Sequence, residues 1–361
     1  MNSKRIRTFF LAACLTLPLF AQGRLTIDIP DIQGYMTLKC DFHTHTVFSD
    51  GSVYPTVRID EAYRDGLDVI AITDHIEIRP YKDIVGSHNR AYEIARDAAK
   101  SKGIILIKGS EITRQMPPGH HNALFLTNSD ELDTPDYMDA FRAARAQGAF
   151  IFWNHPGEHQ PDTIRWWAEH AKLYEQGLMQ GIEIVNRDVY YPEAHRWCLE
   201  KKLTMLGNSD IHPPMESSPV GKHRPMTLVF ARSATPEAIH EALKERRTAV
   251  YFEEFIIGEE IYLKELFENA LEWSIKRSGN QATVTVTNKS DLTFRLKKTS
   301  HDPRLVYFRN SIKPFTIEPK GTHSFSVKLL EGIPEGDVNF SVENFLVEPN
   351  KGMNYTIKLG N

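Results

Sequence analysis

The chain has 361 residues, 41% of them hydrophobic and 25% charged, which argues against disorder and supplies a barrel-sized domain plus a smaller one. Its formal charge of −4 removes any electrostatic basis for general binding to nucleic acid or anionic membrane, so no stable nucleic-acid complex is expected. With only three cysteines, a disulfide-rich scaffold is excluded.

Lys4, Arg5 and Arg7 precede an apolar run from Thr8 to Phe20, and Ala21 offers a small residue for cleavage. A basic start, a short apolar stretch and a small exit residue make residues 1–21 a secretory signal peptide, too short to span a bilayer. Export to the periplasm or beyond follows. Lipoprotein anchoring at Cys14 is the alternative, because Leu11-Ala12-Ala13-Cys14 resembles a lipoprotein box. Losing the signal's three cations moves the formal charge from −4 to about −7. No later stretch is long and apolar enough to be a transmembrane helix.

From Met36 to Arg232 short apolar runs alternate with helical patterns. Strands are predicted at 37–43, 68–73, 104–110, 123–127, 149–154, 181–185, 204–208 and 226–231. Helices are predicted at 57–64, 91–102, 137–147, 164–175, 193–201 and 236–246, several with a glycine (Gly66, Gly103, Gly148) just past the end. Repeated strand–helix units imply a parallel sheet, open or closed into a barrel. A disulfide between Cys40 and Cys198 is permitted by an exported location but not implied by spacing, and the two read as buried free thiols.

After Thr248 the rhythm changes. Residues 261–271 read as a linking helix, followed by alternating strands at 282–288, 292–296, 324–329, 338–342 and 355–359. That pattern predicts a small β-sandwich. The expected division is a signal peptide (1–21), a catalytic barrel (36–257), a linking helix (258–272) and an accessory sandwich (273–361) that braces the barrel.

The chemistry-bearing residues fall at strand ends. His43 and His45, two apart, project to the same side after the first strand, with Asp50 close behind. Asp74 and His75 end the second strand, Glu111 ends the third, and His120 or His121 opens the next. His155 follows Asn154, and Asp210 and His212 follow Asn208. In parallel α/β folds this face carries the active site. Imidazole and carboxylate together suit zinc, manganese or iron, and the lack of thiolate argues against a structural Cys-rich zinc site.

Asp41-Phe42-His43-Thr44-His45 with Ser49-Asp50-Gly51 resembles the opening motif of the PHP (polymerase and histidinol phosphatase) family. Thr73-Asp74-His75, Gly109-Ser110-Glu111, Asn154-His155-Pro156 and Ser209-Asp210-Ile211-His212 match its later motifs in order. The resemblance implies a distorted (β/α)7 barrel with a trinuclear site of two or three divalent ions. One ion would take His43, His45, Glu111 and Asp210. A second would share Glu111 and take His120 and His155, and the third would take Asp50, His75 and His212. Gly119-His120-His121-Asn122 favours His120 as the ligand, leaving His121 to face substrate or to pack.

Adjacent cations at such a site activate water and neutralise phosphate oxygens, so the expected activity is hydrolysis of a small phosphorylated metabolite or nucleotide. Asp210 or His212 would pass a proton to the leaving alcohol. Arg114 and Arg187, just past strand ends, are candidates to grip phosphate, and Lys222, His223 and Arg224 are either a substrate-facing basic cluster or solvated surface charges. The alternatives are phosphodiester or nuclease-like cleavage, metal-dependent amide hydrolysis, and a non-catalytic binding protein.

Overall fold

The computed structural model describes residues 23–160, 163–215, 223–299, 302–307 and 313–359. The signal peptide with Cys14, and Lys222 of the basic cluster, lie outside the described residues. The N-terminal domain carries β1 (Met36–Asp41), β2 (Val69–Ile72), β3 (Ile105–Ile112), β4 (His121–Leu124), β5 (Phe150–Trp153), β6 (Gly181–Asn186), β7 (Val189–Tyr190), β8 (Thr204–Asn208), β9 (Met226–Ala231), β10 (Thr248–Phe252) and β11 (Phe255–Gly258). Every residue of β2, β5, β6, β8 and β9 is buried, as expected of strands with side chains on one face and helices on the other. Helix α1 (Pro55–Arg64) begins on a proline, whose missing N–H costs nothing in a first turn.

The strands follow the order β11-β10-β9-β1-β2-β3-β4-β5-β6, with β8 also on β6. Strands β1, β2, β3, β5, β6 and β8 run parallel, whereas β4 is antiparallel to both neighbours and β9 is antiparallel to β1. Strand–helix repetition alone predicts uniform parallelism, and the distortion of the barrel resides in these reversed strands. The physical reason at β4 is the short loop 113–120, which has no crossover helix with which to return the chain parallel.

The wall closes between β8 and β9 without a backbone ladder. Thr227 Oγ1 accepts from Gly207 N and donates to Gly207 O, both at 3.0 Å. Gly207 also lies so close to β10 that a Cβ there would stand 2.2 Å from Val250 Cγ1.

The C-terminal domain is a sandwich of β12 (Leu271–Ser278), β13 (Gln281–Asn288), β14 (Phe294–Lys298), β15 (Leu305–Tyr307), β16 (Phe315–Ile317), β17 (Thr322–Leu329), β18 (Asp337–Glu348) and β19 (Lys351–Lys358). One sheet runs β12-β13-β17-β15; the other, β16-β14-β18 with β19 on β18, continues into the barrel through parallel pairing of Ile256–Ile257 with Phe345–Leu346. The helix Glu260–Ala270 packs Leu263, Leu266 and Phe267 into a core that also holds Phe294, Phe345 and Met353. Fully buried Asn344 fastens the junction: its amide donates to Glu254 O at 2.6 Å and Thr293 O at 2.8 Å, and its oxygen accepts from Arg295 N. Cys40 and Cys198 are free, buried thiols. No described helix is long and apolar enough to cross a membrane.

Closure at Gly207 yields a test. Gly207→Ala forces Val250 to move and is expected to cost about 1–3 kcal/mol, read as a lower urea midpoint. Adding Val250→Ala should recover part of that loss. An unchanged midpoint in the single variant would contradict the closure described.

Candidate metal centre

Backbone bonds beyond the ladders bring the strand ends together. Asp210 N donates to His43 O at 2.8 Å, His45 N to Ile211 O at 3.1 Å, and Ile76 N to Glu111 O at 2.8 Å. The alternation of His43 and His45 then turns both rings into one volume, their Nε2 atoms 3.1 Å apart. Glu111 Oε2 lies 3.3 Å from His43 Nε2, 3.2 Å from His45 Nε2 and 3.0 Å from His75 Nδ1. Its other oxygen lies 3.0 Å from His120 Nδ1 and 3.6 Å from His155 Nε2. Asp210 Oδ1 is 3.2 Å from His43 Nε2 and 3.1 Å from His45 Nε2, while Asp50 Oδ1 is 3.4 Å from His75 Nε2 and 3.2 Å from His212 Nε2. All nine residues singled out as ligands therefore lie in one cluster. His121 does not join it, since its ring is buried against Phe141 and Trp153.

Ligand-type atoms lie within 4.8 Å of one another in five overlapping groups among the described residues. They are His45–Asp50–His75–His212, His43–His45–Glu111, His43–His155–Asp210, His75–Glu111–His120 and His120–His155–Glu158. The chemistry of the donors fits cations. His43 Nδ1 pairs with Glu183 Oε1 at 2.9 Å, His155 Nδ1 with Glu158 Oε2 at 2.6 Å, and His212 Nδ1 donates to Asp210 O at 2.9 Å. Each partner occupies Nδ1 and leaves the Nε2 lone pair facing the cluster, which is the tautomer that binds a metal.

Electrostatics point the same way. Burial opposes protonation of His45 and His155, yet Asp210 and Glu111 on the first, and Glu111 and Glu158 on the second, raise them to about 9 and about 10. Burial also opposes ionisation of Glu111, Asp210 and Asp50, yet the surrounding imidazoles hold all three carboxyls well below their usual range. Bonding to His155 lowers Glu158 to about 2. The carboxylates thus favour positive charge among the rings. Three members, His155, Arg187 and Asp210, have positive φ (27°, 54° and 47°), a local strain upheld by the surrounding packing.

The candidate arginines separate. Arg187 Nη2 bonds Asp210 Oδ2 at 2.8 Å, and its side chain is 51% exposed. Arg114 is turned away: its guanidinium is bound to Glu77 at 2.9 Å and to the carbonyls of Thr134 and Pro135. Arg224 is not a solvated surface charge but a buried bridge, 3.0 Å from Asp41 and 2.6 Å from Asp65, and His223 packs on Tyr251; both line the cavity beside Asp210 and His212. Sequence reasoning missed Glu183, whose Oε2 also accepts from His155 N and Asn186 Nδ2. A lone carboxylate in the apolar run Gly181–Val185 was the available signal. Asp74 was placed at its strand end but given no role; it accepts from Thr46 N, Thr46 Oγ1 and Ser49 Oγ, each at 2.7 Å, and so fixes the turn that carries Asp50.

A strand-end cluster of imidazoles and carboxylates on an α/β barrel defines a metal-dependent hydrolase. The PHP domain model matches residues 41–196 and an Ig-like domain model matches residues 271–358. A crystal structure from Bacteroides vulgatus, of a two-domain protein containing a predicted PHP-like metal-dependent phosphoesterase, is 53% identical. It covers 94% of this chain and 100% of its own, with a TM-score of 0.89. The chain belongs to the PHP family, with an Ig-like domain attached. Among curated relatives, it is 39% identical over 83 residues to an uncharacterized protein of Methanocaldococcus jannaschii. It is 38% identical over 78 residues to the 5'-3' exoribonuclease of Haemophilus influenzae. Each match spans 22% of this chain, but only 36% and 24% of those proteins.

Because Glu111 faces five imidazoles, Glu111→Gln should fold but weaken metal binding by more than the about 10–100-fold that loss of an outer partner costs. Elemental analysis after dialysis would show this, and full retention of metal would refute the central place given to Glu111.

Proposed function

We propose that the protein is an exported phosphoesterase that hydrolyses a small phosphorylated metabolite or nucleotide with two or three divalent ions, zinc, manganese or iron. The observation that carries this reading is the sharing of Glu111 and the histidines among overlapping donor groups. We assign His43, His45, Glu111 and Asp210 to one ion, Glu111, His120 and His155 to a second, and Asp50, His75 and His212 to a third. Ions held there would supply hydroxide at neutral pH and offset charge developing on phosphate oxygens.

The chain's own residues do the rest. Arg187 lines one open cavity with Asp210, His212 and Pro213. Asp210 engages one of its nitrogens, and the remaining N–H groups are free to take a phosphate oxygen pair. Asp210, ionised among the imidazoles, or His212 relays to the leaving alcohol the proton released by the attacking water. Arg114 has no part in this, being committed elsewhere. A second reading, cleavage of a terminal phosphodiester in a short nucleotide, is favoured by the likeness to the Haemophilus influenzae exoribonuclease. The acidic chain disfavours sequence-blind binding to long nucleic acid.

The test is hydrolysis of a panel of phosphomonoesters and phosphodiesters by residues 22–361, with manganese and with zinc, beside Asp210→Asn. Metal-dependent turnover that vanishes in the variant is expected; no turnover by metal-loaded protein would move the reading to amide hydrolysis or binding. Arg187→Ala should raise KM and lower kcat/KM by about 10–100-fold if it grips the phosphate. An unaltered KM would remove it from the substrate site.

A further inference from the structure

Helix α1 turns Arg58, Glu61 and Arg64, spaced three apart, toward the segment 211–215 that carries His212. Arg58 is fully buried, and a buried guanidinium must satisfy five N–H groups. It does so completely. Nε donates to His45 O at 2.7 Å, and Nη1 donates to Glu61 Oε2 at 2.6 Å and Pro213 O at 2.9 Å. Nη2 donates to Ile211 O at 3.1 Å and His212 O at 2.7 Å. Glu61 takes Met215 N at 2.7 Å with its free oxygen, and Arg64 Nη2 donates to Met215 O at 2.9 Å.

We propose that Arg58 is the positioning residue of the outermost ion site, that of Asp50, His75 and His212. One rigid, planar guanidinium ties the Ile211–Pro213 backbone to His45 O, and so holds the His212 ring in its stack on the His45 ring at 4.2 Å. The inner groups rest on other supports: Glu183 on His43, Glu158 on His155, and Asn154 Nδ2 on Glu111 Oε1. In the outer group Glu111 stands behind His75 and Asp74 holds the turn of Asp50, but His212 Nδ1 bonds a backbone carbonyl, Asp210 O, and the His212 side chain is 24% exposed. Its geometry therefore depends on the clamp between α1 and the 211–215 backbone.

This inference rests on the three-ion partition proposed above. Manganese would be titrated into metal-free wild type, Arg58→Lys, Arg58→Met, Glu61→Gln and His212→Ala by competition with a chelating dye. Circular dichroism melts of the same metal-free samples would report folding. Wild type should take three ions. The Arg58 variants should keep two at wild-type affinity and bind the third about 10–100-fold more weakly, as His212→Ala does, with Glu61→Gln intermediate. If Arg58→Met does not fold, Arg58→Lys and Glu61→Gln decide the matter. Three ions at unchanged affinity in folded variants, or parallel weakening of all three, overturns the positioning role alone. Fewer than three ions on wild type overturns the partition and this inference together.

Discussion

One carboxylate, Glu111, is buried among the rings of His43, His45, His75, His120 and His155. An ionised carboxylate out of water is costly unless cations or strong donors surround it. Four strand ends, those of β1, β2, β4 and β5, meet that demand, and the barrel's geometry is what lets them meet. The groups behind them carry the same logic outward. Glu183 and Glu158 orient imidazoles, Asn154 holds the second oxygen of Glu111, and Asp74 fixes the turn of Asp50. Glu183 is itself bonded by Asn186 and Asn208, and Asn154 by Asn122, so the site is organised over at least two layers of side chains.

Such organisation has a conformational cost. His155, Arg187 and Asp210 sit in the left-handed region, where a side chain crowds its own backbone. They stay there because the surrounding bonds leave no alternative: His155 N is held by Glu183, Arg187 N by Asn208 O, and Asp210 N by His43 O. Fold stability and site geometry are thus coupled through a few backbone bonds.

Much of the fold was legible in the sequence, and the reasons are specific. The alternation of His43 and His45 sets both rings on one side, and the strand ends bearing Glu111, His155 and Asp210 follow from apolar runs of strand length. His120 and His121 illustrate the same rule, since adjacent residues on an extended chain face opposite ways: one meets Glu111 and the other meets Phe141. Proximity to a strand end placed Arg114 and Arg187 alike, but sequence distance does not fix where a long side chain ends. Carbonyls at 134 and 135, remote in sequence, captured Arg114. Arg58 and Glu183 escaped notice because a charged residue announces burial only through partners that come from elsewhere in the chain. The junction of β11 with β18 was invisible for a related reason, as it joins residues some ninety positions apart.

That junction bears on the order in which the molecule is made. β11 borders the barrel sheet, and its outer edge is covered by Phe345 and Leu346. A chain emerging from the ribosome completes the barrel's own strands long before those two residues exist. During that interval an apolar strand edge stands unpaired, open to neighbouring chains. Covering of the barrel's edge therefore waits on β18, and damage to that strand exposes a sticky edge in a domain that lies some ninety positions away in sequence.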